Sequence, residues 1–447
     1  MALESQTTGR TPPRLPPWVF SAIMGAFLGL ALLKFCNPPI MEKLVQPPAG
    51  LAEWLLSAWP IYVGYWLLAL VVVVGFFGAQ FRVNIPKWLL ALPLVWLGWQ
   101  LLSATQSVDA ELTKPTLRHF TACVVCFYLG VFSLGRDKSG RALWVGIVAA
   151  LGVVFLVGIE QHFGGLEETR RYFYTYLYPQ LETVSPDYLK KISSDRIFST
   201  LFYPNALAGA ILLLLPPALV MVWRYFGRLT VASRILLAGL YGGAALSCLY
   251  WSGSKGGWLL ALTLVLVVLL HLRWSNRAKW LLVGTVCVLG IAGFLIRYAA
   301  FFERGATSVG ARFDYWRAAA QTTAARPLFG TGPGTFSIAY QAVKKPESEM
   351  ARLTHNDYLQ QASDSGLLGC VAYSGFIVCV LMWGYARPVG QEGMIRFAVW
   401  LGLLGWALQG LLEFGLYIPA LSWTAFSLGG WLLATGTGRL DKVAGSA

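Results

Sequence analysis

Charge is what this sequence has least of. Only 13% of its 447 residues are Asp, Glu, Lys or Arg, about half the share in soluble globular chains. With 56% hydrophobic residues and a mean hydropathy of +0.59, a disordered chain is excluded. A water-soluble globule would lack polar surface. Acids are outnumbered 21 to 35, a net charge of +14 that in a soluble protein would suggest nucleic acid. There are only four histidines, His119, His162, His271 and His355. They share no ligand spacing, so no metal is expected, and no cofactor-binding motif is read. The seven cysteines are an odd number, which argues against a disulfide framework. Cys123 and Cys126 form a C-x-x-C inside an apolar run, where thiols behave as small hydrophobes.

Long apolar runs are abundant, Leu259 to Leu270 among them. A membrane-crossing helix needs about 20 such residues. No run shows the period-2 alternation of a barrel strand. The runs and their breakers predict an all-α polytopic membrane protein of about twelve transmembrane helices. About half of the 35 Lys and Arg fall in short loops on one side, from Arg10 and Arg14 through Arg136, Arg141 and Arg224 to Arg439 and Lys442. The positive-inside rule puts those loops and both termini in the cytoplasm. The +14 is thus largely a topology signal, and no nucleic-acid partner is expected. The stretch before Pro17 is polar, basic and proline-rich, and does not read as a cleaved signal. The expected organisation is 1–161 for helices one to five, 162–197 for a loop, 198–297 for helices six to nine, 298–365 for a large helical loop, and 366–447 for helices ten to twelve with a cytoplasmic tail.

Both long loops fall on the translocated side, and both are basic. The first holds Arg170, Arg171, Lys190, Lys191 and Arg196; the second holds Arg304, Arg312, Arg317, Arg326, Lys344, Lys345 and Arg352. Two readings stand. The cations hold an anionic ligand such as a phosphate, or they meet solvent and the headgroups of membrane lipids.

Three clusters carry more information. In the first, Arg196 precedes Pro204-Asn205, where a proline within an apolar run predicts a kink and leaves an amide needing a partner. In the second, Ser308 is a candidate N-cap and Pro327 a candidate stop. Between them Arg312, Trp316 and Ala319 or Ala320 share a helix face, with Tyr315 and Trp316 suited to a water–lipid boundary. The run Gly330-Thr-Gly-Pro-Gly-Thr-Phe then reads as a turn. The third is Thr354-His355-Asn356-Asp357-Tyr358-Leu359-Gln360, whose imidazole either accepts a proton near neutral pH or is structural.

The ordered set R-I-F-S-T-L-F-Y-P-N-A-L-A, G-S-K-G-G-W, R-F-D-Y-W-R-A-A, P-L-F-G-T-G-P-G-T-F and H-N-D-Y-L-Q resembles the O-antigen ligase family, which includes polysaccharide polymerases and protein O-oligosaccharyltransferases. The motifs span about residues 190–385. The resemblance implies a GT-C-like enzyme of the bacterial inner membrane with its active site facing the periplasm. Such an enzyme moves a glycan from undecaprenyl diphosphate to an acceptor such as lipid A–core, without metal and with inversion. It implies that Arg196 and Arg312 hold the diphosphate and that His355 is essential. Where relatives usually carry S-R-G, this chain has Ser254-Lys255-Gly256, which keeps a charge but loses the planar fork. Asp364 stands near a position where many relatives carry Glu. Asn205, Trp316, Asn356, Tyr358 and Glu413 are further substrate-binding candidates; Glu413 reads either as an acceptor contact or as a loop-edge carboxylate. A polymerase differs from a ligase only in its acceptor. A non-enzymatic transporter would gather charges near the midplane in two related halves, and no such repeat is evident.

Overall fold

The computed structural model describes residues 15–44, 47–48, 50–180, 189, 192–201, 203–303, 307–345, 348–385 and 387–436. Arg10, Arg14, Lys190, Lys191, Arg304, Arg439 and Lys442, and the stretch before Pro17 up to residue 14, lie outside the described residues. Among the described residues the chain is all-helical. The α-helices are α1 (Pro17–Lys34), α2 (Leu51–Leu56), α3 (Ile61–Gly78), α4 (Lys87–Ala104), α5 (Ala110–Phe132), α6 (Arg141–Glu160), α7 (Leu166–Tyr172) and α8 (Pro204–Tyr225). They continue with α9 (Val231–Ser252), α10 (Lys255–His271), α11 (Asn276–Glu303), α12 (Thr307–Ala325), α13 (Phe336–Val343), α14 (Asp357–Gly384), α15 (Gly390–Gln409) and α16 (Pro419–Ala434).

A helix overlaps each of the twelve expected spans, but among the described residues eight are long and apolar enough to cross a membrane: α1, α3, α5, α6, α8, α9, α11 and α14. The other four fall short for local reasons. α4 carries Lys87 and Gln100, and α15 carries Glu392, Arg396 and Gln409; α10 and α16 have only 17 and 16 residues.

α16 is the axis of the core, buried from Pro419 to Leu433. It packs against α5, α1, α14 and α15. Lipid tails are as apolar as leucine, so helices in a bilayer associate through close packing, which small residues permit. At the α5–α16 crossing, a methyl group on Gly430 would collide with the Phe127 carbonyl, and one on Gly130 with that of Ser427. At the other extreme, the apolar window of α11 has no buried residue, as expected of a helix facing lipid.

Three local expectations change. Pro204 does not kink a longer helix; it starts α8 at the first position, where its missing N–H costs nothing. Ser308 lies inside α12, which begins at Thr307. The tenth span starts early, at Asp357, and breaks at Ser365–Gly366. There Gly366 takes φ +73° and Leu367 N–H donates to the Pro327 carbonyl at 2.8 Å, satisfying one of the freed backbone groups.

Candidate active site

The polar residues converge at one end of the bundle, around Glu413. This carboxylate sits in the turn between α15 and α16 and is 4% exposed. Four side chains approach it. Asn205 Nδ2 donates to Oε1 at 2.6 Å, and Tyr203 Oη donates to Oε2 at 3.0 Å. Arg312 forms an ion pair with Oε1. His355 Nδ1 lies 2.9 Å from Oε2. Burial alone would push this carboxyl up, but the His355 and Arg312 charges and the Tyr203 hydroxyl hold it below its ordinary value. An ionised carboxylate only accepts hydrogen bonds. His355 therefore donates its Nδ1–H, and in the neutral imidazole Nε2 carries the lone pair.

Backbone contacts fix that pairing. Asp357 N–H donates to the Gly410 carbonyl at 2.7 Å, Leu416 N–H to Asp357 Oδ2 at 3.0 Å, and Asn356 Nδ2 to the Leu411 carbonyl at 3.0 Å. The segment entering α14 is thus tied to the turn bearing Glu413. His355 itself is held at φ +53°, a left-handed conformation that costs a non-glycine residue free energy. Its ring packs against Phe414, edge-on at 4.9 Å, and against Tyr315 at 5.9 Å.

Arg196 reaches the same place from the loop before α8. Its Nε donates to the Ser252 carbonyl at 2.7 Å and a terminal nitrogen to Asn205 Oδ1 at 2.8 Å. Asn205 thereby bridges Arg196 and Glu413, giving the amide left by Pro204-Asn205 its partners. Burial pulls the Arg196 guanidinium down from its ordinary value, with Glu413 opposing. The tight turn between α9 and α10, which Arg196 touches, also lines the site: Gly253 caps α9 at φ +59°, and Ser254 caps α10 by accepting from Gly257 N–H at 3.2 Å. Arg196, Lys255, Arg312, Asn205, Gln409 and Glu413 line one cleft. Among the described residues that line it, three cations surround one hydrogen-bonded carboxylate, a set suited to an anion.

Other candidates fall outside it. Asn356 caps α14, its carbonyl oxygen accepting from Tyr358 and Leu359 N–H. Tyr358 donates to the Ala407 carbonyl at 2.9 Å. Trp316 packs against the cluster of Tyr315, Phe336 and Tyr340. Tyr315 is buried there, not at a lipid boundary. None of Asn356, Tyr358 and Trp316 lines the cleft. Asp364 accepts from Gly334 N–H and Gln360 Nε2, at 2.8 and 2.9 Å. It anchors the glycine run, whose Gly330, Gly332 and Gly334 all have positive φ, as a turn requires. Arg170 is paired with Glu167 and Asp195, and that pairing raises its pKa. Cys123 and Cys126 are buried free thiols.

Glu413 is not a loop-edge carboxylate but the hub of the site, and its one sequence signal was isolation: it is the single acid between Glu392 and Asp441. Gln409 gave no signal beyond its place in an apolar segment, and Tyr203, though inside the motif Y-P-N-A-L-A, was not singled out from it.

Residues 240–374 match the family described as O-Antigen ligase. That stretch takes in Lys255, Arg312 and His355 but not Arg196, Asn205 or Glu413. A protein of Haemophilus influenzae described as uncharacterized is 27% identical over 146 residues, covering 27% of this chain. The chain spans 36% of the length of that relative.

Proposed function

From the premise that residues 240–374 form an O-antigen ligase domain, we propose that the protein is a membrane glycosyltransferase working on the periplasmic face of a bacterial inner membrane. It transfers a glycan en bloc from undecaprenyl diphosphate to an acceptor hydroxyl, that of lipid A–core in the ligase reading. One observation carries the proposal. An imidazole oriented by a buried carboxylate stands beside a cleft lined by Arg196, Arg312 and Lys255.

The chemistry follows from these parts. The acceptor oxygen attacks the anomeric carbon as the bond from that carbon to the phosphate oxygen breaks. A single displacement inverts the centre. The acceptor proton passes to Nε2 of His355, the ring nitrogen left free by the bond to Glu413. General-base help of this kind contributes about 10²–10⁴-fold. The electron pair of the broken bond goes to the diphosphate, where Arg196, Arg312 and Lys255 stabilise the growing charge. Such groups, fixed in advance in a partly dry cleft, are each worth about 10²–10³-fold. Fixed cations can neutralise a leaving diphosphate as a metal would, so the reaction is expected to proceed with chelator present.

A polysaccharide polymerase or protein O-oligosaccharyltransferase would use the same machinery with another acceptor. The deciding experiment gives purified protein an undecaprenyl-diphosphate-linked glycan, chelator, and one of three acceptors: lipid A–core, a second lipid-linked unit or a peptide. Product with lipid A–core supports the ligase. Product only with the second unit supports a polymerase. Full transfer by a folded His355→Ala variant removes His355 from the mechanism, and no product with any acceptor, peptide included, sinks the enzyme reading.

A further inference from the structure

We propose that Tyr298 and Arg297, near the end of the lipid-facing helix α11, form a second phosphate subsite next to the Arg196–Arg312 pair, gripping the lipid-side phosphate of a polyprenyl diphosphate. The inference rests on the donor class proposed above and adds two residues that no motif marks.

The first observation is an unmet hydroxyl. Tyr298 is 6% exposed, and its Oη has no hydrogen-bond partner among the described residues. Buried polar groups are nearly always satisfied, so one left open beside a cationic cleft points to a ligand that completes it. The second is the charge around its ring. Lys255 Nζ lies 5.1 Å from the Tyr298 centroid, and the Arg297 guanidinium lies 5.4 Å from it. Arg297 also covers the Tyr250 ring at 4.8 Å, so it bridges α9 and α11. Lys255 lines the cleft of Arg196 and Arg312, and all three arginines are close enough to act on it electrostatically. The cations thus run continuously from the cleft to α11.

The third observation is direction. Arg297 is exposed on a helix whose apolar window is unburied. A diphosphate held between the two subsites would place its sugar-side phosphate by Arg312 and Arg196, near His355. Its lipid-side phosphate would meet Lys255, the Tyr298 hydroxyl and Arg297, with the prenyl chain leaving into the bilayer past α11. A phosphate oxygen accepting from a tyrosine hydroxyl and a guanidinium forms charge-assisted bonds, the stronger class of hydrogen bond.

The test uses the full chain in phosphatidylcholine nanodiscs and measures binding of undecaprenyl diphosphate and undecaprenyl monophosphate. Tyr298→Phe removes only the hydroxyl and keeps the ring for both cations. It is expected to weaken both lipids about tenfold, because the single phosphate of the monophosphate is the lipid-side one. Arg297→Gln, at an exposed position, is expected to do the same, and serves if the tyrosine variant fails to fold. A loss for the diphosphate alone, which would put the two residues at the sugar-side phosphate, or no loss for either lipid, overturns the subsite. If the wild type binds undecaprenyl diphosphate and both variants match it, the subsite alone falls. If the wild type does not bind it, the donor reading falls too.

Discussion

His355 and Glu413 face each other across 2.9 Å although 58 residues separate them. The backbone bonds from Asp357 to Gly410 and Leu416 lock that distance. Since Glu413 orients the imidazole and holds its Nδ1–H, Glu413→Gln should lower turnover about 100-fold or more. The substitution also frees Arg312 from its ion pair, so affinity for undecaprenyl diphosphate should hold or rise. Turnover and donor binding measured on one preparation check this. Parallel losses in both would make Glu413 a binding residue instead.

The same carboxylate gives stability a pH dependence. Its folded pKa lies below the ordinary value, so its contribution is complete above the unfolded value of about 4.3. The contribution is lost as pH falls from there through the lower folded value. Unfolding followed in detergent between about pH 5 and 3 should show wild type losing stability more steeply than Glu413→Gln. Identical slopes would mean that the pairs to His355 and Arg312 add nothing to the folded state.

Strain separates chemistry from folding at His355. The left-handed backbone costs a side-chain-bearing residue about 1–2 kcal/mol, which glycine avoids. Glycine also loses about 0.5–1 kcal/mol to its freer unfolded chain, and the contacts to Phe414 and Tyr315 disappear. His355→Gly should therefore fold with stability within about 1 kcal/mol of wild type, yet transfer no glycan. A variant that is both stable and active would refute the base assignment.

What the sequence made legible follows from the range of each signal. Arg196, Lys255, Arg312 and His355 lie in motifs that can be read from their immediate neighbours, and three of the four line one cleft with His355 bonded to its carboxylate. Glu413 could not be assigned this way, because its meaning depends on partners 58 to 210 residues distant. Asn356 and Tyr358 drew attention as polar neighbours of His355, but their polar groups are used in a helix cap and a helix–helix contact. The helices were legible from apolar runs. The number of spans was less so, because α16 is buried by other helices and need not match the length or hydropathy of one facing lipid.

Cations of equal charge should behave differently according to their neighbours. Lys255 lines the cleft, whereas Arg170 lies outside it, beside Glu167 and Asp195, which are 77% and 94% exposed. Exposed ion pairs are worth at most about 1 kcal/mol and Arg170 does not line the cleft, so Arg170→Gln should leave donor affinity nearly unchanged. Lys255→Met should weaken undecaprenyl diphosphate binding about tenfold, and Lys255→Arg should retain it. If Arg170→Gln matched Lys255→Met, overall positive charge rather than the cleft would be what attracts the donor.

Gly253 links backbone geometry to phosphate binding. Its φ of +59° is accessible to alanine only at a cost of about 1–2 kcal/mol, and a Cβ there would stand 3.2 Å from Arg196 Nε. Arg196 cannot easily yield, because Ser252 and Asn205 hold it at 2.7 and 2.8 Å. Gly253→Ala should thus lose about 1–2 kcal/mol of stability and bind undecaprenyl diphosphate severalfold more weakly. Gly253→Asn separates the two effects: asparagine tolerates the left-handed region but still carries the Cβ. It should recover most of the stability and keep the binding defect. If the asparagine variant regains affinity as well, contact with Arg196 is not how this glycine acts, and its role is confined to the turn.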